Sequence, residues 1–189
     1  RLSAGEGGAE LYAALVARGR QANDELARKA SRLAARAAVA SLAFVATDEN
    51  GTVAADMLQG ERGPPIFHQR ACALPGFLAR TRWGHMPQAV HDPDSVKPIA
   101  RDLVETCVQR ALRTKTGLAP SLDQATGRVG DLRPETASSL FFMRRATNDP
   151  YYAKLGYDLF RKLNASSRIQ GGAFATIDDV EIGTKRDEQ

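Results

Sequence analysis

Apolar residues recur at three- and four-residue intervals over most of this chain. Leu11, Leu15 and Val16 share one face of residues 9–19. From Asn23 to Leu42, Leu26, Ala30, Leu33 and Ala37 keep helical spacing in a stretch dominated by Ala and Arg, both good helix formers. Leu103, Val104, Val108 and Leu112 predict a buried stripe on a helix over Val96–Thr114, stopped by Gly117 and Pro120. Leu140, Phe141 and Met143 mark another helix, with Asp131 placed to cap it and Pro134 suited to its first turn. Asp149-Pro150 then starts a last helix, whose apolar face is Tyr152, Leu155, Leu159, Phe160 and Leu163.

Between these helices the pattern changes period. Ser41–Thr47 turns β-like, and Asp48-Glu-Asn-Gly-Thr before Val53 predicts a hairpin with Asn50-Gly51 at its tip. Gly60–Pro65 is a breaker segment, Arg82–Asp94 a loop, and Gly171–Ile177 the return strand of a turn. The fold class is therefore all-α with short β-turn hairpins and no extended sheet. An ordinary α-helical domain or a helical-repeat scaffold would carry the same periodicity.

Composition narrows the function less than the pattern narrows the fold. With 189 residues, 43% of them hydrophobic, the chain can bury a core of its own as one domain. No run of 18 apolar residues could span a bilayer, and the opening Arg1–Gly8 lacks the pattern of a signal peptide. A net charge of +4 invites a nucleic-acid partner. The basic cluster Arg18, Arg20, Arg28, Lys29, Arg32 and Arg36 has acids interleaved and no aromatic platform, so it reads as a solvated helix face and no nucleic acid is expected. His85, His91 and Asp92 match no usual metal-ligand spacing, and no metal ligand is assigned.

The candidate chemistry lies in Gly130-Asp-Leu-Arg-Pro-Glu135. A carboxylate in a first helical turn sits beside unpaired N–H groups and the positive end of the dipole, where it can accept a proton or attract a cation. Arg133 offers a planar five-donor fork to Glu135 or to a ligand hydroxyl. A plain helix-start residue is the competing reading of Glu135.

Several fixed points then fall in one order. Leu132-Arg-Pro-Glu, Ser139-Leu-Phe, Arg145-Ala-Thr-x-Asp-Pro-x-Tyr, Gly156-Tyr-Asp-Leu-Phe and Gly171-Gly-x-Phe-x-x-Ile-x-x-Val closely resemble glycoside hydrolase family 47, the class I α-1,2-mannosidases and their relatives in ER quality control. Further upstream, Phe67-His-Gln-Arg-Ala-Cys-Ala-Leu-Pro-Gly76 stands where the family has Met-Asp-His-Leu-x-Cys-Phe-Leu-Pro-Gly, with His68 and Gln69 replacing the Asp-His pair. Thr116-Gly-Leu-Ala-Pro-Ser121 carries a hydroxyl where the family has a carboxylate.

The resemblance implies part of an (α/α)7 barrel of helical hairpins, with residues 1–189 a C-terminal-side portion of the catalytic domain, incomplete at both ends. It implies inverting hydrolysis of terminal α-1,2-linked mannose, with Glu135 as catalytic base and Arg133 binding substrate. Calcium is the implied cofactor and a high-mannose N-glycan or glycoprotein the partner. The family's disulfide maps onto Cys72 and Cys107. The location implied is the secretory pathway, ER or Golgi, with any membrane attachment through a segment outside this chain. Two sequons in loop-like contexts, Asn50-Gly-Thr and Asn164-Ala-Ser, suit that location as glycosylation sites. The family's acid and its calcium-holding Thr have no counterpart in this sequence, so it is expected to be inactive alone. The alternatives are a divergent factor that binds mannose-rich glycans without trimming them, and a helical interaction scaffold.

Overall fold

A computed structural model describes residues 14–19, 24–48, 51–54, 57–58, 61–62, 67–81, 93–120 and 129–186. Residues 14–19 are helical, and five longer helices follow: α1 (Glu25–Leu42), α2 (Leu74–Arg80), α3 (Pro93–Arg113), α4 (Glu135–Thr147) and α5 (Tyr151–Ser166). A 3-10 helix, Gln69–Ala73, leads directly into α2. Three two-stranded antiparallel hairpins complete the described elements: β1 (Val45–Asp48) with β2 (Gly51–Ala54), β3 (Met57–Leu58) with β4 (Glu61–Arg62), and β5 (Ile177–Asp179) with β6 (Thr184–Lys185). This is the helical fold with short hairpins that the periodicity predicts.

The helix starts differ instructively from expectation. Asp24 caps α1, its carboxylate accepting from the Ala27 N–H at 2.7 Å and pairing with Arg18 at 2.7 Å. Those two contacts, the backbone one first, hold its carboxyl below the ordinary carboxylate range. The buried face of α1 is alanine apart from Ser31, with Ala30 and Ala37 of the expected stripe on it, while Leu26 and Leu33 are 59% and 44% exposed. Small side chains let α1 lie close to its neighbours, and the longer Leu residues fall on the outer face. Phe141 and Phe160 are likewise exposed rather than on the buried stripes of α4 and α5.

The first hairpin pairs Asp48 with Gly51, so Gly51 opens β2 instead of forming the tip. Its partner in the expected tip, Asn50, lies outside the described residues, as do Ser121, His85 and His91. The breaker at Gly60–Pro65 overlaps the β3–β4 hairpin, and Cys72–Phe77 forms helix that periodicity alone misses because α2 is only seven residues long.

The core joins these pieces. Leu78 and Phe77 of α2, Leu103, Val104 and Val108 of α3, Leu140 and Met143 of α4, and Tyr152 and Leu155 of α5 share one apolar cluster with Ala34, Ala37 and Ala38 of α1. Burying a side chain such as Leu78 contributes about 1.5–3 kcal/mol. Burial also pushes the Tyr152 phenol up.

Two contacts fix the relative direction of α2 and α4. Gly76 meets Ser139, and the Arg80 guanidinium lies 3.8 Å from the centre of the Phe142 ring. Both helices advance in step, so they run parallel and begin at the same end. The turn between α4 and α5 is short because Asn148 takes a left-handed conformation (φ 58°) and Asp149 accepts from the Tyr151 N–H at 2.9 Å. The result is two helical hairpins, α2–α3 and α4–α5, with α2 and α4 side by side.

Candidate functional site

Glu135 is the first residue of α4, preceded by Pro134 in the capping position, which supplies no side-chain cap. Asp131 does not cap the helix. Its carboxylate instead accepts from Arg133 Nη2 at 2.9 Å. The physical reason is reach, since the helix begins four residues after Asp131 and the guanidinium lies nearer. The approach to α4 is held from behind by Gly130, which exchanges two backbone hydrogen bonds with Ile177 at 2.8 and 3.0 Å. The β5–β6 hairpin thus anchors the strand-like entry to the helix carrying Glu135.

The opposing wall is the 3-10 helix and the start of α2. His68 caps that 3-10 helix, its Nδ1 accepting from the Arg70 N–H at 3.2 Å. Its imidazole therefore does a capping job, one that Asp would also do. Gln69 follows, 4% exposed. Cys72, next to last in the 3-10 helix, is joined to Cys107 of α3 by a disulfide with Cα atoms 6.0 Å apart. The structure thus holds the two cysteines together as the sequence motifs imply.

Three polar atoms in this region are buried and have no hydrogen-bond partner: Glu135 Oε2, Arg133 Nε and Gln69 Oε1. Because α2 and α4 are parallel, and the 3-10 helix packs on α4, all three belong to the same end of the helix pair. Leaving a buried polar group unpaired costs about 1–3 kcal/mol, more when it is charged, so three together call for a polar ligand. Glu135 has not curled its buried oxygen back onto its own helix start. What the arrangement can do chemically is accept a proton at Glu135 Oε2, donate a hydrogen bond from Arg133 Nε, and accept one at Gln69 Oε1.

Calcium needs roughly six to eight oxygen ligands. Among the described residues no group of three or more His, Cys, Asp or Glu side chains is placed to hold a metal. The side chains present do not by themselves make a calcium site.

Asn164 falls in the last turns of α5, not in a loop. Its side-chain oxygen accepts from Arg168 at 3.4 Å, and the sequon hydroxyl of Ser166 lies 2.6 Å from the Thr116 carbonyl. The Asn164-Ala-Ser motif continues the apolar spacing of α5 through Leu163, which is why it is helical.

A pocket of about 560 Å³ lies at the opposite end of the helices, lined by Leu78, Val96, Arg101, Met143, Thr147 and Tyr152 among others. Its Lys97 and Arg101 are already paired, with Asp94 and Glu105, and its Asp149 accepts from the Tyr151 N–H, so it lacks the unsatisfied chemistry found beside Glu135.

Two residues of the site carry a role that the sequence alone does not assign. Gln69 reads as a lost family residue, yet it is buried with a free acceptor. Ser139 reads as part of a motif, but it is a polar residue on the buried face of α4, beside Thr136, Leu140 and Met143. A small polar residue on such a face is a signal for a cross-helix hydrogen bond.

The chain is similar to curated mannosidases over much of its length. It is 30% identical over 129 residues to the endoplasmic reticulum mannosyl-oligosaccharide 1,2-alpha-mannosidase of Rattus norvegicus, covering 60% of this chain and 19% of the relative. Its counterpart in Schizosaccharomyces pombe is 31% identical over 153 residues, covering 66% of this chain and 28% of the relative. The chain therefore spans well under a third of the length of these relatives. The alpha-1,2-mannosidase from Trichoderma reesei superposes with a TM-score of 0.68 at 16% identity, over 94% of this chain and 41% of that one. That likeness establishes the fold as part of an (α/α)7 barrel. Residues 12–189 match the model of glycosyl hydrolase family 47, and the chain belongs to that family.

Proposed function

We propose that this chain supplies the general base of a mannosyl-oligosaccharide 1,2-α-mannosidase that trims high-mannose N-glycans in the ER or Golgi. Family membership and the names of the relatives support the reaction class. The observation that carries it here is the trio of buried polar atoms without partners, Glu135 Oε2, Arg133 Nε and Gln69 Oε1. A sugar is a dense array of hydroxyls, and such atoms are what its hydroxyls would satisfy.

Inverting hydrolysis needs a base on water and an acid on the leaving oxygen, roughly 6.5–9.5 Å apart. Glu135 takes the base role because Oε2 is free to receive the proton. Arg133, braced by Asp131, keeps Nε directed to a ligand while Nη2 is occupied. Gln69 adds a neutral amide that reads a hydroxyl. The acid comes from outside the described residues, and so does a sufficient set of calcium ligands; no step is assigned to the metal. For these 189 residues alone, no mannose release is expected. Among the described residues no helix is long and apolar enough to cross a membrane.

The test is release of free mannose from a high-mannose glycan by the full-length protein, with the anomer followed by proton NMR. Release with inversion that disappears in Glu135→Gln supports the reading. Undiminished release by that variant overturns it. A second reading, glycan binding without trimming, draws on Gln69 and His68 standing in place of an Asp-His pair; binding on a glycan array with no release would favour it.

A further inference from the structure

We infer that Ser139 is a positioning residue for Glu135, acting as a helix cap supplied from a neighbouring helix. This rests on the reading of Glu135 as the base. Helix α2 starts with an unusual deficit: its capping residue is Ala73, which has no side-chain acceptor, and its second residue is Pro75, which has no N–H. The Gly76 N–H is the donor left over. Ser139 Oγ, 1% exposed on α4, accepts that hydrogen bond at 2.9 Å and donates its own proton to the Cys72 carbonyl at 2.5 Å. One hydroxyl therefore uses a donor and an acceptor capacity across the same seam.

The seam is too tight for another arrangement. A Cβ on Gly76 would stand 2.8 Å from Ser139 Cα and 2.9 Å from its Oγ, so glycine is what permits the approach. Ser139 lies one turn beyond Glu135 on α4, on the same face. Cys72 lies three residues beyond Gln69 and is tied through the disulfide to α3. Fixing Ser139 against Cys72 and Gly76 thus sets the rotation and height of α4, and with them the relation of Glu135 and Arg133 to Gln69. Without the hydroxyl, α4 keeps its apolar contacts through Leu140 and Met143 but loses the directional contact that fixes its register.

The experiment uses the full-length protein and has two readouts. Amide hydrogen exchange at Gly76 reports the cap whatever the activity. In Ser139→Ala this amide is expected to exchange at least about tenfold faster, and exchange unchanged from wild type would overturn the cap. Mannose release reports positioning. A displacement near 1 Å costs up to about a hundredfold in rate, so kcat of the folded variant should fall about ten- to a hundredfold with KM within about twofold. A purely structural role would lower the melting temperature and leave kcat of the folded protein untouched, which would overturn positioning. Gly76→Ala keeps the hydroxyl but forces the helices apart, and it serves the same test if Ser139→Ala does not fold; it should show the same fall in kcat. If wild type releases no mannose while Gly76 exchange still responds, the cap stands, and the Glu135 reading falls together with positioning.

Discussion

The molecule has two polar seams of opposite character. Where α3 ends against α5, polar groups are matched. Lys162 Nζ donates to the carbonyls of Leu112 and Thr114 at 2.6 and 2.7 Å, supplying the acceptors' partners at the C-terminal end of the α3 dipole. Ser166 reaches the Thr116 carbonyl, Thr114 Oγ1 reaches those of Ala111 and Leu118, and the Thr116 N–H donates to Val180. Gly117 takes a φ of 78° there, which its missing side chain permits, and Lys162 Cβ occupies the space that side chain would need. Where the 3-10 helix meets the start of α4, Glu135, Arg133 and Gln69 each bury an atom with no partner. The first seam gathers helix C-termini, the second a helix start. The first is completed by the chain and the second is left for a ligand, and that difference separates scaffold from site.

The largest expected effect comes from uncoupling the open seam from α3. Cys72 and Cys107 close a loop of 35 residues. In the chain-entropy model that stabilises the fold by about 3–4 kcal/mol, so Cys72→Ala with Cys107→Ala should lower unfolding stability by that amount in urea. A change under about 1 kcal/mol would mean the 3-10 helix is held by packing with Phe67 and Ala111 rather than by the disulfide.

Next comes the site itself. Glu135→Gln keeps the shape and removes the charge, and mannose release by the full-length protein should fall at least about a hundredfold, the scale of a lost general base. Stability should change by less than about 1 kcal/mol, the scale of a helix-dipole contact. Loss of stability without loss of release would make Glu135 a helix-start residue and erase the contrast between the seams.

The closed seam should answer in the opposite way. Lys162→Met retains the stem that covers Gly117 but leaves two carbonyls without their charged donor, costing about 1–3 kcal/mol. Catalysis per folded molecule should be unchanged. Chemical denaturation and specific activity of the variant check both halves of this statement, and a fall in specific activity would show that the seams are coupled.

The contrast was only partly legible in the sequence. Long helices with many apolar repeats, α3 and α5 above all, follow from spacing, because burial of Val104, Val108 and Leu155 depends on period alone. The Arg133-Pro-Glu135 motif was visible as chemistry, and Cys72 with Cys107 as an implied pair. Short elements escaped: the 3-10 helix and α2 have too few turns to show a period, and their start is completed by Ser139, 63 residues beyond Gly76. Local reading also placed Asp131 as a cap, since nothing nearby reveals that Arg133 claims its carboxylate. In α1 the expected stripe divides: Ala30 and Ala37 are buried, while Leu26 and Leu33 turn outward from a contact face of alanines and Ser31.

The smallest effect sharpens the comparison from outside both seams. Asp24 is a polar terminus that is complete and exposed, its carboxylate accepting from Ala27 N–H and paired with Arg18. Its folded carboxyl lies below the ordinary value, first because of the Ala27 N–H and then because of Arg18. A depressed carboxyl contributes stability that is present above the unfolded carboxylate pKa and lost as pH falls through the folded one. Asp24→Asn retains a capping oxygen but not the charge. Its melting temperature should therefore lie slightly below wild type near neutral pH, and the gap should close in acid as the wild-type carboxylate takes up its proton. Salt should shrink the neutral-pH gap too, since Arg18 and Asp24 are both substantially solvated. Thermal melts of the two proteins from pH 7 down to pH 3 make the measurement. A gap that stays constant over that range would show that Asp24 serves α1 only as a hydrogen-bond acceptor, with its charge contributing nothing.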